Sequence, residues 1–252
     1  MGLADFKYRL KKNFKFNKDE IIGIISIALV FGFIASFREW GYGDEFELFV
    51  GLRNLINATI ISLLAILVHE SGHKLLAIWR GYKVSFKPWW YGILIAIVLC
   101  FISRGHIWFF VISGITITQI DKLSLGKYRY NLRPKDILPI ALAGPIASII
   151  LATLIKTPSV WFSNLPFNLA LINKAFTINW AIAVFNLLPI PPLDGIHVLF
   201  QSRLSYATIL GFVTGYGVLL YFGIYSWILA LGFAALGWLL FYIFFERATI
   251  WT

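Results

Sequence analysis

The stretch from Leu55 to Trp79 reads LINATIISLLAILVHESGHKLLAIW and decides the fold class of this 252-residue chain. A helix needs about 20 apolar residues to cross the hydrocarbon core of a bilayer, and this stretch is long enough. Five other apolar runs accompany it. Together they predict six transmembrane helices, at about 20–37, 55–79, 136–156, 166–187, 206–222 and 225–245. We therefore predict an all-α polytopic membrane protein.

The composition agrees with a bilayer environment. Hydrophobic residues make up 59% of the chain and charged residues 13%, whereas soluble domains carry roughly 45–50% and about 25%. The net charge of +10 could indicate a nucleic-acid partner. However, the excess lies in short segments that flank apolar runs, as in positive-inside topologies, so we expect lipid and no nucleic acid. The single cysteine, Cys100, excludes an intramolecular disulfide framework.

The segment from Tyr91 to Ile120 lies between the second and third predicted spans. Its two apolar stretches, of about 13 residues each, are too short to cross a bilayer alone. They are separated by Ser103-Arg104-Gly105-His106. We expect a re-entrant hairpin beside a wet cavity, because non-helical backbone at membrane depth must be buried in protein or line water.

Loop charges predict the orientation in the membrane. The N-terminal arm, 80–87 and 121–135 are basic, while 38–53 is acidic. This alternation places both termini in the cytoplasm and returns the hairpin to the side that it leaves. The expected location is a membrane, most simply the cell membrane, which the chain crosses several times.

The second span contains the motif HExxH, formed by His69, Glu70 and His73. Residues four apart share a helix face, so the two histidines can hold one zinc ion while Glu70 acts as general base on water. The alternative is that these are polar residues used in helix packing. Such a cluster is costly inside a membrane span unless it is paired or binds an ion.

A catalytic zinc site usually has three protein ligands, so a third must come from elsewhere. The candidate is Asp194, near the end of the stretch NLLPIPPLDG at 186–195. Its three prolines cannot continue a helix, and the backbone there is predicted to be extended or kinked. Asp194 could instead be the N-cap of the next helix. The second and fourth spans run in the same direction, so both motifs fall toward the cytoplasmic face and can meet.

The two motifs together resemble the site-2 protease family of intramembrane zinc metalloproteases, in a compact form without PDZ or CBS domains. The resemblance covers about 56–195, which would be the catalytic core of a single membrane-embedded domain spanning 1–252. Residues 206–252 would then form accessory transmembrane helices. The resemblance implies regulated intramembrane proteolysis of transmembrane protein substrates. It does not define the oligomeric state.

The same resemblance implies a role for each residue of the motifs. His69, His73 and Asp194 would hold one Zn²⁺ per chain, and Glu70 would be the catalytic base. Asn186 would hydrogen-bond the substrate backbone or the developing oxyanion.

Ala143-Gly144-Pro145 resembles a further element of the family, although Ser148 stands where many relatives have asparagine. His106 is interpreted as a boundary residue and His197 as an interfacial histidine, with a metal-site role for His197 as the alternative.

Two other functions fit parts of the sequence. One is a non-hydrolytic metal-binding membrane protein or divalent-cation transporter, which tends to have repeated halves. No repeat is visible in this chain. The other is a prenyl-peptide endopeptidase, which usually completes its HExxH site with glutamate. The only glutamate after Glu70 is Glu246, at the far end of the last span.

Overall fold

The computed structural model describes residues 3–42, 45–119, 134–161 and 168–246. Most of these residues are helical. In chain order the helices are α1 (Leu3–Asn13), α2 (Lys18–Ser36), α3 (Leu48–Arg80), α4 (Trp90–Ile102), α5 (Pro134–Trp161), α6 (Leu169–Asn186), α7 (Asp194–Gln201), α8 (Arg203–Tyr221) and α9 (Trp227–Phe241). A π-helical turn, Tyr242–Glu246, extends α9.

Six helices are long and apolar enough to cross a membrane, namely α2, α3, α5, α6, α8 and α9 with its π-helical turn. They coincide with the six predicted spans. The largest difference is in α3, which has 33 residues and begins seven residues before the predicted start. Their outward faces expose large apolar side chains, such as Ile22 at 61% and Leu154 at 64%. Such faces are expected in a multi-pass membrane protein, where lipid covers them.

The all-α expectation is incomplete, because the structure also contains two antiparallel strand pairs. β1 (Gly41–Tyr42) pairs with β2 (Glu45–Phe46), and β3 (Tyr82–Pro88) pairs with β4 (Ser113–Gln119). β3 is a strand because buried Tyr82, Val84 and Phe86 alternate with more exposed residues. This two-residue period places the apolar side chains on one face of the strand pair.

Between β3 and β4 the chain runs away from the strand pair along α4, turns, and returns to it. The 13 residues of α4 cover about 20 Å, and the turn after α4 lies against the end of α2. A Cβ placed on Gly105 would be 2.8 Å from the Phe37 ring and 2.9 Å from Cγ of Arg38. Residues 107–112, which we call the return segment, then lead back to Asn186 at the end of α6. The predicted second apolar stretch is thus not helical, because residues 107–112 have no regular secondary structure and the following residues form β4.

The return segment is buried among helices. Phe110, Val111 and Ile112 are inaccessible to solvent, and the Phe110 ring lies 4.6 Å from the Phe31 ring of α2. Phe109 packs edge-on against Phe185 of α6 at 5.2 Å. Together with α2, α3, α4 and α6, this segment forms the largest apolar core of the described residues.

Candidate metal centre

The structure brings His69, His73 and Asp194 together at one point. The Nε2 atoms of the two histidines lie 3.2 Å apart, and Oδ2 of Asp194 lies 3.2 Å from Nε2 of His69 and 3.1 Å from Nε2 of His73. Zinc binds such atoms at about 2.0–2.2 Å, so ligand atoms at tetrahedral corners are about 3.3–3.6 Å apart, close to the observed separations. The observed triangle therefore has the dimensions of three corners of a tetrahedral zinc site.

Hydrogen bonds on the other ring nitrogens orient both histidines. Nδ1 of His73 lies 2.7 Å from the Ile140 carbonyl of α5, and Nδ1 of His69 lies 2.9 Å from Oγ of Ser148. A carbonyl only accepts, so Nδ1 of His73 must donate, and in neutral His73 the Nε2 lone pair faces the Asp194 carboxylate. Two acceptors at this distance repel each other unless a proton or a metal ion lies between them, so the geometry fits a metal ion held by neutral His73 and the Asp194 carboxylate.

The space for an ion comes from a glycine. A Cβ on Gly144 of α5 would be 2.7 Å from Nε2 of His69 and would also collide with Nε2 of His73. A side chain at this position would occupy the space beside the Nε2 atoms of both histidines. Oδ1 of Asp194 is buried without a hydrogen-bond partner among the described residues, and it is available as a further metal contact. The three ligand atoms, the space left by Gly144 and the available Oδ1 of Asp194 all fit a zinc ion.

Close approach of α3 and α5 makes this arrangement possible. A Cβ on Gly72 would lie 2.5 Å from the Ala143 carbonyl oxygen and 2.8 Å from Cβ of Ala147. The glycine therefore lets α5 reach the histidine face of α3, so that Ile140, Gly144 and Ser148 can all contact the histidines. These α5 positions are four residues apart, which places them on one helix face.

Asp194 is directed at the histidines rather than at its own helix. The N-cap of α7 is Leu193, and Asp194 is the first helical residue. The N-cap alternative raised by the sequence is therefore wrong. As predicted, no helix crosses the proline-rich stretch, since α6 ends at Asn186 and the chain turns through 187–193 before α7 begins.

The cluster and Glu70 are closed to solvent. His69 and Asp194 are each 1% exposed, and His73 and Glu70 are 0% exposed. Glu70 follows His69 directly on α3 and lies close enough to His73 to interact with it electrostatically. A carboxylate next to a buried metal site is the arrangement that the HExxH motif needs for a general base.

Asn186 does not join the cluster in this structure. Its Oδ1 accepts from the Ile112 amide at 3.2 Å, and its Nδ2 donates to the carbonyls of Ile182 at 2.8 Å and Phe110 at 3.4 Å. The side chain is 0% exposed. It therefore pairs with the backbone of the return segment on both its donor and its acceptor side, much as a neighbouring strand would.

The other two histidines lie outside the cluster. Nδ1 of His106 is 2.8 Å from the Ser103 carbonyl in the exposed turn after α4, at the opposite end of the molecule. His197 is half-buried one turn after Asp194, where burial lowers the pKa of the imidazole and the Asp194 carboxylate partly opposes this effect. Neither residue is among the described side chains whose ligand atoms converge.

Two residues of this site were not predicted as contributors. In the sequence, Ser148 stands out only as a departure from the family pattern, and Gly144 only as part of Ala143-Gly144-Pro145. Their spacing of four residues, with Ile140 four residues earlier, was the available signal.

The six long apolar helices are consistent with a multi-pass membrane protein, and the cluster of His69, His73 and Asp194 is a candidate mononuclear zinc centre of the HExxH type. A protein of Methanocaldococcus jannaschii named "Putative zinc metalloprotease" is 27% identical to the chain over 202 residues, which cover 78% of this chain and 91% of that protein. No family model and no solved structure matches the chain. At a coarse level, the relative and the cluster both point to a zinc metalloprotease.

Proposed function

We infer that this chain is an intramembrane zinc metalloprotease that hydrolyses peptide bonds of transmembrane proteins, as in the site-2 protease family. The observation that carries this inference is the triangle of His69, His73 and Asp194 beside Glu70, in which both histidines and Glu70 belong to a helix long and apolar enough to span a membrane. A hydrolytic site buried beside such a helix favours substrates that also enter the bilayer. The relative named as a zinc metalloprotease supports the same chemistry.

His69, His73 and Asp194 would hold the zinc ion. Zinc bound there would supply a Lewis acid that polarises the scissile carbonyl and lowers the pKa of the attacking water. Glu70 would take the proton from that water and later deliver it to the leaving amine. Ser148 and the Ile140 carbonyl would keep the two imidazole rings in the orientation that binding requires.

The out-and-back path of α4 and the return segment would be the predicted re-entrant hairpin. Gly114 of β4 contacts Pro192, since a Cβ on Gly114 would be 2.7 Å from Cβ of Pro192, two residues before Asp194. A substrate helix unwound into a strand could pair with this strand pair next to the metal centre. If Asn186 contacts substrate, it must exchange its bonds to Phe110 and Ile112 for bonds to the substrate backbone.

The test compares reconstituted wild-type protein with Glu70→Gln, using a panel of tagged single-span membrane proteins and measuring zinc content and cleavage. Glu70→Gln should retain about one zinc per chain and lose cleavage by several orders of magnitude, because it removes proton transfer but no ligand. Glu47→Gln is the matched control, because Glu47 is exposed at the far end of α3. Asp194→Ala should lose zinc.

Three results would contradict the proposal. Full zinc occupancy in Asp194→Ala would remove this residue from the ligand set. Unchanged cleavage by Glu70→Gln would exclude it as the base. Zinc flux across the vesicle membrane without cleavage of any panel protein would favour a cation transporter.

A further inference from the structure

One end of the molecule, where α3 finishes, carries a concentration of exposed lysines, which we call the basic rim. Its members are Lys7, Lys11, Lys12, Lys15, Lys18, Lys83 and Lys87. Among the described side chains of α1, the first turn of α2 and β3, the carboxylates are Asp19 and Glu20. Glu20 is already paired with Lys74 at 2.8 Å. The rim therefore presents a strong excess of positive charge.

Helix α1 is fixed along the last two turns of α3. The Phe6 ring packs edge-on against the Trp79 ring at 4.9 Å. At the other end of α1, Nζ of Lys74 donates to the Lys15 carbonyl at 3.0 Å and lies 4.2 Å from the Phe16 ring. These contacts place the lysines of α1 at the level where the spanning part of α3 ends.

Exposed aromatic side chains mark the same level. Tyr8 is 66% exposed with Nζ of Lys12 at 5.9 Å from its ring, and Trp79 is 42% exposed. Trp90 and Tyr91, which begin α4, are 56% and 76% exposed. Tyrosine and tryptophan concentrate where the bilayer meets water, at the depth of the lipid headgroups. The lysines among them would then face phosphates rather than bulk solvent.

We propose that the basic rim binds the headgroups of anionic phospholipids in the leaflet at this end of the protein. The lysines and the headgroups have complementary charge at the same depth, and four to eight basic residues next to a spanning helix attract anionic lipid. The attraction is worth roughly a fivefold change in binding per lysine, and salt screens it. This interaction does not depend on hydrolysis and is separate from the metal centre.

The test measures energy transfer from the protein's tryptophans to dansyl-labelled phosphatidylglycerol or phosphatidylcholine in reconstituted vesicles. Wild-type protein should enrich phosphatidylglycerol, and the triple variant Lys7→Gln, Lys11→Gln, Lys12→Gln should lose most of that enrichment. The matched control removes three exposed cations from the opposite end, Arg38→Gln, Arg53→Gln, Arg104→Gln, and should keep it. All variants retain the ten tryptophans, so donor numbers are equal.

A second pair of substitutions tests the same proposal independently of α1. Lys83→Gln with Lys87→Gln changes only exposed residues of β3 and should lower the enrichment in the same direction. Raising the salt concentration should lower it in the wild type.

Several outcomes would overturn the proposal. Equal transfer to both lipids in the wild type would do so and would favour an acidic peptide as the partner of the rim. Displacement of the labelled lipid by millimolar inorganic phosphate would show a site for free anions instead. An equal loss in the arginine control would show that the lipid responds to net charge alone.

Discussion

Replacement of Ser148 by alanine should weaken zinc binding without removing a ligand. Oγ of Ser148 lies 2.9 Å from Nδ1 of His69, and both side chains are buried. Without Oγ, a proton on Nδ1 has no partner, and an unsatisfied buried donor costs about 1–3 kcal/mol. The ring can avoid this cost by moving its proton to Nε2, but that nitrogen then cannot bind metal. We expect zinc affinity to fall about 10–100-fold, the usual effect of removing such a partner.

Competition against a zinc chelator in detergent at pH 7 would measure this affinity, with metal analysis as a second readout. Ser62→Ala is the matched control, because Ser62 is also a buried serine of the core and its Oγ has no hydrogen-bond partner among the described residues. It should bind zinc like the wild type. Wild-type affinity in Ser148→Ala, or an equal loss in Ser62→Ala, would refute the assignment of Ser148 as the residue that orients His69.

Three further predictions concern the space for the metal ion, a buried ion pair and the side of access. Gly144→Ala should reduce the zinc content well below one per chain, because the added Cβ collides with the imidazoles of both histidines. Gly232→Ala is the control and should keep its zinc, because a Cβ there has nothing within 4 Å. Equal zinc contents in the two variants would show that Gly144 does not provide the space for the ion. Lys74→Met should lower the free energy of unfolding by about 3–5 kcal/mol, because the buried Glu20 carboxylate loses its ion-pair partner and, among the described residues, keeps only its bonds from two backbone amides. Glu20→Gln in the same chain should restore part of the loss, and thermal melts without such a recovery would argue against the pair. A membrane-impermeant chelator should inactivate inside-out vesicles faster than right-side-out vesicles, and the opposite preference would reverse the predicted orientation.

Much of the fold could be predicted because it depends on local sequence. The six long apolar runs correspond to six helices, since the length needed to cross a bilayer is a property of each run alone. The spacing of His69 and His73 likewise fixes their shared helix face. Asp194 could be predicted as the third zinc ligand only by combining two observations: the proline-rich stretch that ends α6, and the shared direction of the second and fourth spans.

The remaining features depend on contacts between distant segments. Tyr82 pairs with Gln119, and the intervening helix α4 hides this relation from a local reading. The alternation of β3 was visible in the sequence, but its partner was not. The bond between Ser148 and His69 joins residues 79 positions apart, and it requires the close packing of α3 and α5 that Gly72 permits.

The pairing of Asn186 with the return segment has a consequence for how the chain is assembled during synthesis. Ile112 and Asn186 are 74 positions apart. A ribosome that adds about 5–20 residues per second therefore synthesises Asn186 roughly 4–15 s after Ile112, whose backbone N–H it pairs with. During that interval the polar groups of Phe110 and Ile112 would be unsatisfied in lipid, which is strongly unfavourable. The return segment must therefore wait near water or within the insertion machinery until α6 arrives. Insertion of this part of the protein is thereby coupled to completion of the helix that leads to Asp194.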